Sequence, residues 1–246
     1  LRLSLGGSCI MTLLQSGITK SLAEAYTIDQ SLRCNEADNG YLTRTPSVAG
    51  DRRKWTVSVW IKRGHMGSGE YPAFMGAEVD SNTRDTLRFY GSDAYGGNID
   101  SLHFEFLDGG VSKDVYTEAV YRDPSSWYHV VFAIDTDQAV DTDRCKIYVN
   151  GDGPLDHTSG SSYPARYRDT CINATVANYV AARFTASLTP FSGYLAELYF
   201  IDGQQLTPSS FAETDDTTNQ WKPIDAVDDL TFGTNGFYQK YAATEL

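Results

Sequence analysis

Basic residues, histidine and cysteine are scarce in this 246-residue chain: 20 Lys plus Arg and 4 His face 32 Asp plus Glu, and there are 4 Cys. The formal charge of -12 sets a negative field that repels phosphate backbones and anionic lipid, so neither nucleic acid nor a membrane is an expected partner. The cysteines, Cys9, Cys34, Cys145 and Cys171, include no C-x-x-C pair and no Cys/His cluster of zinc spacing, which excludes a zinc knot. Free thiols, some in the core, or a disulfide whose partners the sequence does not choose among are both compatible with that spacing. The stretch 1–17 has one basic residue, Arg2, and its apolar positions are broken by Ser4, Gly6, Gly7 and Ser8, so neither a signal peptide nor a membrane span is read there. Heptads, internal repeats and long helical periodicity are missing too. So are G-x-S-x-G, H-E-x-x-H, a P-loop and a dinucleotide fingerprint.

What the chain has in quantity is aromatic side chains, 16 Tyr, 11 Phe and 4 Trp, a balance that favours strands. A chain of this length buries roughly 70 to 75% of its unfolded surface and needs no metal or disulfide staple. Residues 31–246 are therefore expected to form a single domain, with 1–30 as an N-terminal extension or interaction arm.

Trp55, Val57, Val59 and Ile61 alternate with Thr56, Ser58, Trp60 and Lys62, which predicts a strand with one face on a core and the other mostly toward solvent. Leu102, Phe104 and Phe106 alternate in the same way with Ser101, His103 and Glu105. The run from Trp127 to Ile134 is nearly all apolar, as in a strand covered on both faces. Cys145, Ile147 and Val149 lead into Asn150-Gly151, a pair suited to a turn with positive φ at both positions. From Gly193 to Ile201 the alternation puts Leu195, Glu197, Tyr199 and Ile201 on one side and Tyr194, Ala196, Leu198 and Phe200 on the other. Thr207-Pro208 predicts one short helical turn running out near Glu213, then a polar surface connection and a last strand around Phe237 to Tyr241. Gly, Asn, Asp and Ser clusters punctuate the strands at intervals that predict an all-β, two-sheet antiparallel sandwich.

Sugar recognition needs an exposed ring to stack on a pyranose, with amides or carboxylates for its hydroxyls. Two loops offer that mixture: Tyr90, Asp93, Tyr95 and Asn98 in one, and Tyr163, Arg166, Tyr167 and Arg168 in the other. The same residue types anchor protein interfaces, so these eight are candidates for either role. Asp135, Asp137, Asp141 and Asp143 crowd one loop and are candidate Ca²⁺ ligands, against the alternative of a solvated acidic loop. No cofactor other than that cation is expected. His129 lies inside an apolar strand, where a hydrogen-bonded packing role is the expected one.

Three segments together resemble the laminin-G-like, concanavalin A-like lectin/glucanase superfamily. They are Ser31-Leu32-Arg33 through Tyr41-Leu42 to Trp55–Lys62, Trp127–Val131 with Lys146–Gly151, and Gly193–Asp202. The resemblance implies a jelly-roll sandwich. Closer wording, Tyr41-Leu42-Thr43-Arg44-Thr45-Pro46-Ser47, Asp123-Pro124-Ser125-Ser126-Trp127-Tyr128-His129, Phe200-Ile201-Asp202-Gly203-Gln204 and Gly233-Thr234-Asn235-Gly236-Phe237-Tyr238, is similar to a branch found in tailed-phage, especially marine-phage, virion proteins. That branch implies a tail fibre, head fibre or capsid decoration at the virion surface, in contact with other virion proteins, copies of itself and host surface glycans. It also implies that Cys34 and Cys145 occupy apolar positions as buried thiols. Glucanases of the superfamily carry E-x-D-x-E or E-x-D-x-x-E on one strand, and this sequence has neither, which predicts a non-enzymatic protein. The alternative is a carbohydrate-binding module of a secreted or cell-surface protein.

Overall fold

A computed structural model describes residues 26–93, 95–183 and 189–242. Cys9 and residues 1–25 of the expected arm lie outside the described residues.

Two six-stranded antiparallel sheets face each other. The first runs β1 (Leu32–Cys34), β11 (Gly193–Asp202), β3 (Lys54–Arg63), β8 (Tyr128–Asp135) and β9 (Cys145–Val149), with β14 (Phe237–Gln239) also paired to β11. The second runs β2 (Leu42–Arg44), β10 (Asn178–Val180), β4 (Ala73–Asp80), β5 (Thr83–Phe89), β6 (Ser101–Asp108) and β7 (Val111–Val120). Between them lies one apolar cluster fed by every second residue: Trp55, Val57, Val59 and Ile61 from β3, Val130, Phe132 and Ile134 from β8, Leu87 and Phe89 from β5, and Leu102, Phe104 and Phe106 from β6. The period of two thus produces the sandwich directly, as expected for an all-β fold. Cys34, Cys145 and Cys171 are free thiols buried in this cluster, and burial pushes the Cys34 thiol up to about 11.

The opposite face of β3 departs from the expectation of solvent: Thr56, Ser58 and Trp60 are buried. The C-terminal part of the chain forms an outer layer over it. Leu206, Phe211, Ile224 and Leu230 pack against Val131, Ala133, Tyr148, Tyr199 and Ile201, and β12 (Ala212–Thr214) pairs with β13 (Trp221–Pro223) as a hairpin beside them. Ala212 and Trp221 pack with Trp60. The predicted helical turn is correspondingly shorter than expected: it closes as a 3-10 turn over Pro208–Ser210, and β12 begins at Ala212. The last strand forms near its predicted place.

β11 contains a second departure. Its register against β3 steps from Ala196↔Trp60 to Tyr199↔Ser58, so two residues, Glu197 and Leu198, stand opposite Val59 alone. Such a bulge reverses the sidedness of everything after it. Leu195 therefore shares the core with Leu198 and Phe200, while Tyr199 and Ile201 face the outer layer. Glu197 takes the left-handed φ of 50° that the extra residue needs.

Loops are tied down by buried carboxylates. Asp202 accepts from the backbone N–H groups of Asp51 (2.7 Å) and Asn235 (3.0 Å) and from Nδ2 of Asn173 (2.7 Å), which joins three loops at one end of the sandwich. Asn150 and Gly151 have φ of 53° and 85° in the predicted turn, and Asn150 Oδ1 accepts from the His129 backbone N–H at 2.8 Å.

Candidate functional site

The polar positions of β5, β6 and β7 point away from the core, and pairing aligns them into two rows. Arg88 lies opposite His103, and His103 opposite Tyr116; Thr86 lies opposite Glu105, and Glu105 opposite Asp114. Tyr71, Tyr90 and Tyr95 add rings at one end, and Arg84 and Arg183 close the other, leaving a groove of about 480 Å³. The floor is a rigid three-strand ladder, which fixes the side chains above it better than a loop does.

Aromatic rings form the wall. His103 stacks on Tyr116 with centroids 4.4 Å apart, Tyr90 meets Tyr116 at 4.7 Å, and Tyr71 meets Tyr90 at 5.5 Å. Tyr95 stands out at the rim, 87% exposed with φ of 61°. The charged groups are coupled. Glu105 receives Arg183 Nη2 at 2.6 Å and Arg84 Nη2 at 3.2 Å, with Arg88 Nη2 at 3.9 Å. Burial raises the pKa of Glu105, but Arg88, Arg183 and Arg84 outweigh it and hold the carboxyl down to about 2. Arg88 Nε–H donates to His103 Nδ1 at 3.0 Å, which leaves the proton on Nε2, 2.8 Å from Asp114 Oδ1. Burial and the Arg88 charge push this imidazole down to about 4, so it is neutral at pH 7.

A carboxyl held near pKa 2 is ionised throughout the physiological range and does not serve as the general acid that glycoside cleavage needs. Asp114 is occupied by His103 and by Ser112 Oγ at 2.7 Å. Glu78 and Asp80 sit at the exposed end of β4, and Glu213 and Asp215 converge on Lys222 in the outer hairpin.

Of the eight candidates from the two loops, Tyr90 and Tyr95 line this groove. Asp93 is exposed beside it, and Asn98 Nδ2 donates to the Glu118 carbonyl at 3.1 Å. The other four sit elsewhere. Tyr163 bonds His157 at 2.8 Å, Arg166 donates to the Asp137 carbonyl at 3.0 Å and lies over the Tyr167 ring, and Arg168 turns inward to Asp85 at 2.8 Å. Arg84, Arg88, Glu105, Asp114, Tyr116 and Arg183 were not singled out by sequence reasoning. The available signal was the polar phase of the alternation, His103 and Glu105 between Leu102, Phe104 and Phe106.

The acidic loop distributes its carboxylates to separate partners. Asp135 accepts from Lys54 Nζ (3.3 Å) and Gln138 Nε2 (2.8 Å), Asp137 lies 3.8 Å from Arg53, Asp141 caps Thr142 (2.8 Å), and Asp143 pairs with Lys146 (3.1 Å). His129 is buried with both ring nitrogens engaged: Trp221 Nε1–H donates to Nδ1 (3.0 Å), and Nε2 faces Ser58 Oγ (2.8 Å). A further hollow of about 290 Å³ opens between the sheets, where core residues Met75, Val180, Leu198 and Phe200 meet the polar side chains of Arg44, Asn173, Asn178 and Asn235.

Domain 4 of the extracellular arabinanase AbnA from Geobacillus stearothermophilus, solved with arabinotriose, is 20% identical, over 73% of this chain and 68% of that one, with a TM-score of 0.47. The SAP-like pentraxin of Limulus polyphemus is 16% identical, over 74% and 80%, at a TM-score of 0.48. A tailspike protein of an Escherichia coli O157:H7 bacteriophage is 14% identical, over 74% and 23%, at 0.46. No curated protein matches the sequence. Residues 35–210 match the family model of the concanavalin A-like lectin/glucanases superfamily, and they run from the turn after β1 through β2 to β11 and the Pro208 turn. With that match across most of its length and two antiparallel sheets enclosing one core, the chain belongs to the concanavalin A-like lectin/glucanase superfamily.

Proposed function

We propose that this lectin-like protein is a non-enzymatic virion surface component, in a tail fibre, head fibre or capsid decoration, which uses the groove on its second sheet to hold host glycans that carry acidic groups. One observation carries the glycan reading: in a chain of formal charge -12, the groove gathers three guanidiniums, Arg84, Arg88 and Arg183, against two carboxylates, Glu105 and Asp114, beside tyrosine rings. The excess of positive over negative side chains along the groove suits a sugar carboxylate or sulfate, while the rings suit its apolar face. The virion assignment rests on the sequence resemblance. The groove serves equally the alternative, a carbohydrate-binding module of a secreted or cell-surface protein.

A glycan array that includes uronate, sialate and sulfated sugars tests the binding. Acidic glycans are expected to bind, with Arg88→Ala weakening them at least tenfold and added salt weakening them further. An empty array alongside multimers in light scattering would assign the groove to contacts between copies instead. Mass spectrometry of purified particles from a phage encoding this sequence tests the virion assignment. Absence of the protein from those particles would favour the module.

A further inference from the structure

We propose that Glu36, His65 and Glu70 form a binding site for one first-row divalent transition-metal ion, with zinc as the best fit. The three residues come from separate stretches at one end of the sandwich. Glu36 opens the 3-10 turn Glu36–Asp38, whose first turn is capped by Asn35 Oδ1 on the Ala37 N–H at 3.2 Å. His65 follows β3, and its carbonyl accepts from Arg63 Nη2 at 3.3 Å; that guanidinium is itself buried against Asp100 at 2.8 Å. Glu70 precedes β4, where Gly69 N–H donates to the Gly91 carbonyl at 2.7 Å. A Cβ on Gly91 would come within 2.0 Å of the Glu70 carbonyl oxygen, so this backbone approach admits glycine alone.

One ligand atom from each residue lies within 4.8 Å of the others. His65 Nδ1 is 2.8 Å from Glu36 Oε2 and 3.9 Å from Glu70 Oε2. Metal–ligand bonds of 2.0–2.2 Å in a tetrahedron put neighbouring donors about 3.3 Å apart, and the two spacings bracket that value. An imidazole among the donors favours zinc and its neighbours over Ca²⁺ or Mg²⁺, which prefer oxygen alone. Two carboxylates and a neutral imidazole match a dication in charge. The side chains are 42 to 43% exposed, so solvent reaches the fourth position. In the metal-free protein the hydrogen bond to Glu36 raises the His65 pKa, with Glu70 adding to the rise and Arg63 opposing it. A coordinating imidazole nitrogen must be unprotonated, so affinity falls as the pH drops.

Zinc titrated calorimetrically into the chelator-treated full chain is expected to bind one-to-one. Mg²⁺ and Ca²⁺ are expected to give no heat at that site. His65→Ala is expected to weaken zinc at least a hundredfold and Glu70→Gln at least tenfold, while both keep the metal-free circular dichroism spectrum. Equal zinc binding by wild type and His65→Ala, or no binding by wild type, would overturn the site. Should His65→Ala fail to fold, the wild-type His65 ring resonance decides: a shift on adding zinc supports coordination, and an unmoved resonance removes it.

Discussion

Arg168 reaches inward from a loop of mostly exposed residues, and its guanidinium meets Asp85, a carboxylate with no exposure, at 2.8 Å. Arg168 Nη2–H also donates to the Leu107 carbonyl at 3.1 Å, so one side chain ties the loop after β9 to β5 and β6. Removing one member of a buried pair strands the other charge in the core and costs about 3–5 kcal/mol. Arg168→Met should therefore lower the unfolding free energy from urea denaturation by that amount, and adding Asp85→Leu should recover part of the loss. A shift under 1 kcal/mol for the single variant would mean that Arg168 is a surface residue. Sequence offers no way to tell this arginine from Arg166 two positions earlier. Both stand among Tyr and Asp in an irregular loop, and burial is decided by a partner some eighty residues away in the chain. The groove residues were hidden for a related reason. Arg84, Arg88 and Glu105 sit at the polar beats of strands whose apolar beats announce the core, and periodicity assigns a face without saying what the neighbouring strand puts beside it.

The strands themselves were legible, because alternation and aromatic content both follow from one face meeting a core. What alternation misses is an element with one residue too many. β11 reads as an uninterrupted two-residue repeat, yet the bulge at Glu197 hands Leu198 and Phe200 to the core in phase with Leu195. The bulge also buries the Glu197 carboxylate, whose Oε2 accepts from Tyr26 at 2.8 Å and Tyr238 at 2.7 Å. That carboxylate thus links β11 to its neighbour β14 and to the segment preceding β1. Glu197→Ala leaves both hydroxyls short of their acceptor and should cost about 2 kcal/mol, read as a lower melting temperature. Glu197→Gly should cost the same despite relieving the left-handed φ, if the hydrogen bonds rather than the backbone dominate; a Gly variant as stable as wild type would show that strain was the larger effect. The outer layer over β3 was likewise invisible in the alternation of Thr56, Ser58 and Trp60, since a polar beat covered by another layer looks the same as one facing water.

Across the whole molecule, His103 and His129 are buried and His157 is half-buried, all three as neutral bases. Burial pushes His129 down to about 3, His103 to about 4 and His157 to about 4, with the Arg88 charge adding to the effect at His103. In the unfolded chain each returns to about 6.5, so between the folded and unfolded values the unfolded state binds more protons. Stability from these groups is complete above pH 6.5 and is lost as the pH falls toward 4. Each histidine contributes a slope of up to about 1.4 kcal/mol per pH unit, and the three together up to about 4. Glu105 extends the loss below its unfolded value near 4.5, down to its folded value of about 2. His65 works in the opposite direction: its raised pKa contributes stability below 6.5 that fades as the pH rises, but it is one half-exposed group against two buried and one half-buried. Denaturant unfolding at pH 7, 6, 5 and 4 should therefore show a steep decline that begins before ordinary carboxylates start to protonate. His129→Gln, placed between Trp221 and Ser58, should flatten that decline between pH 6 and 4 even while lowering stability at pH 7. An unchanged slope in that variant would mean that His129 is already protonated in the folded protein, and that Trp221 does not donate to its Nδ1.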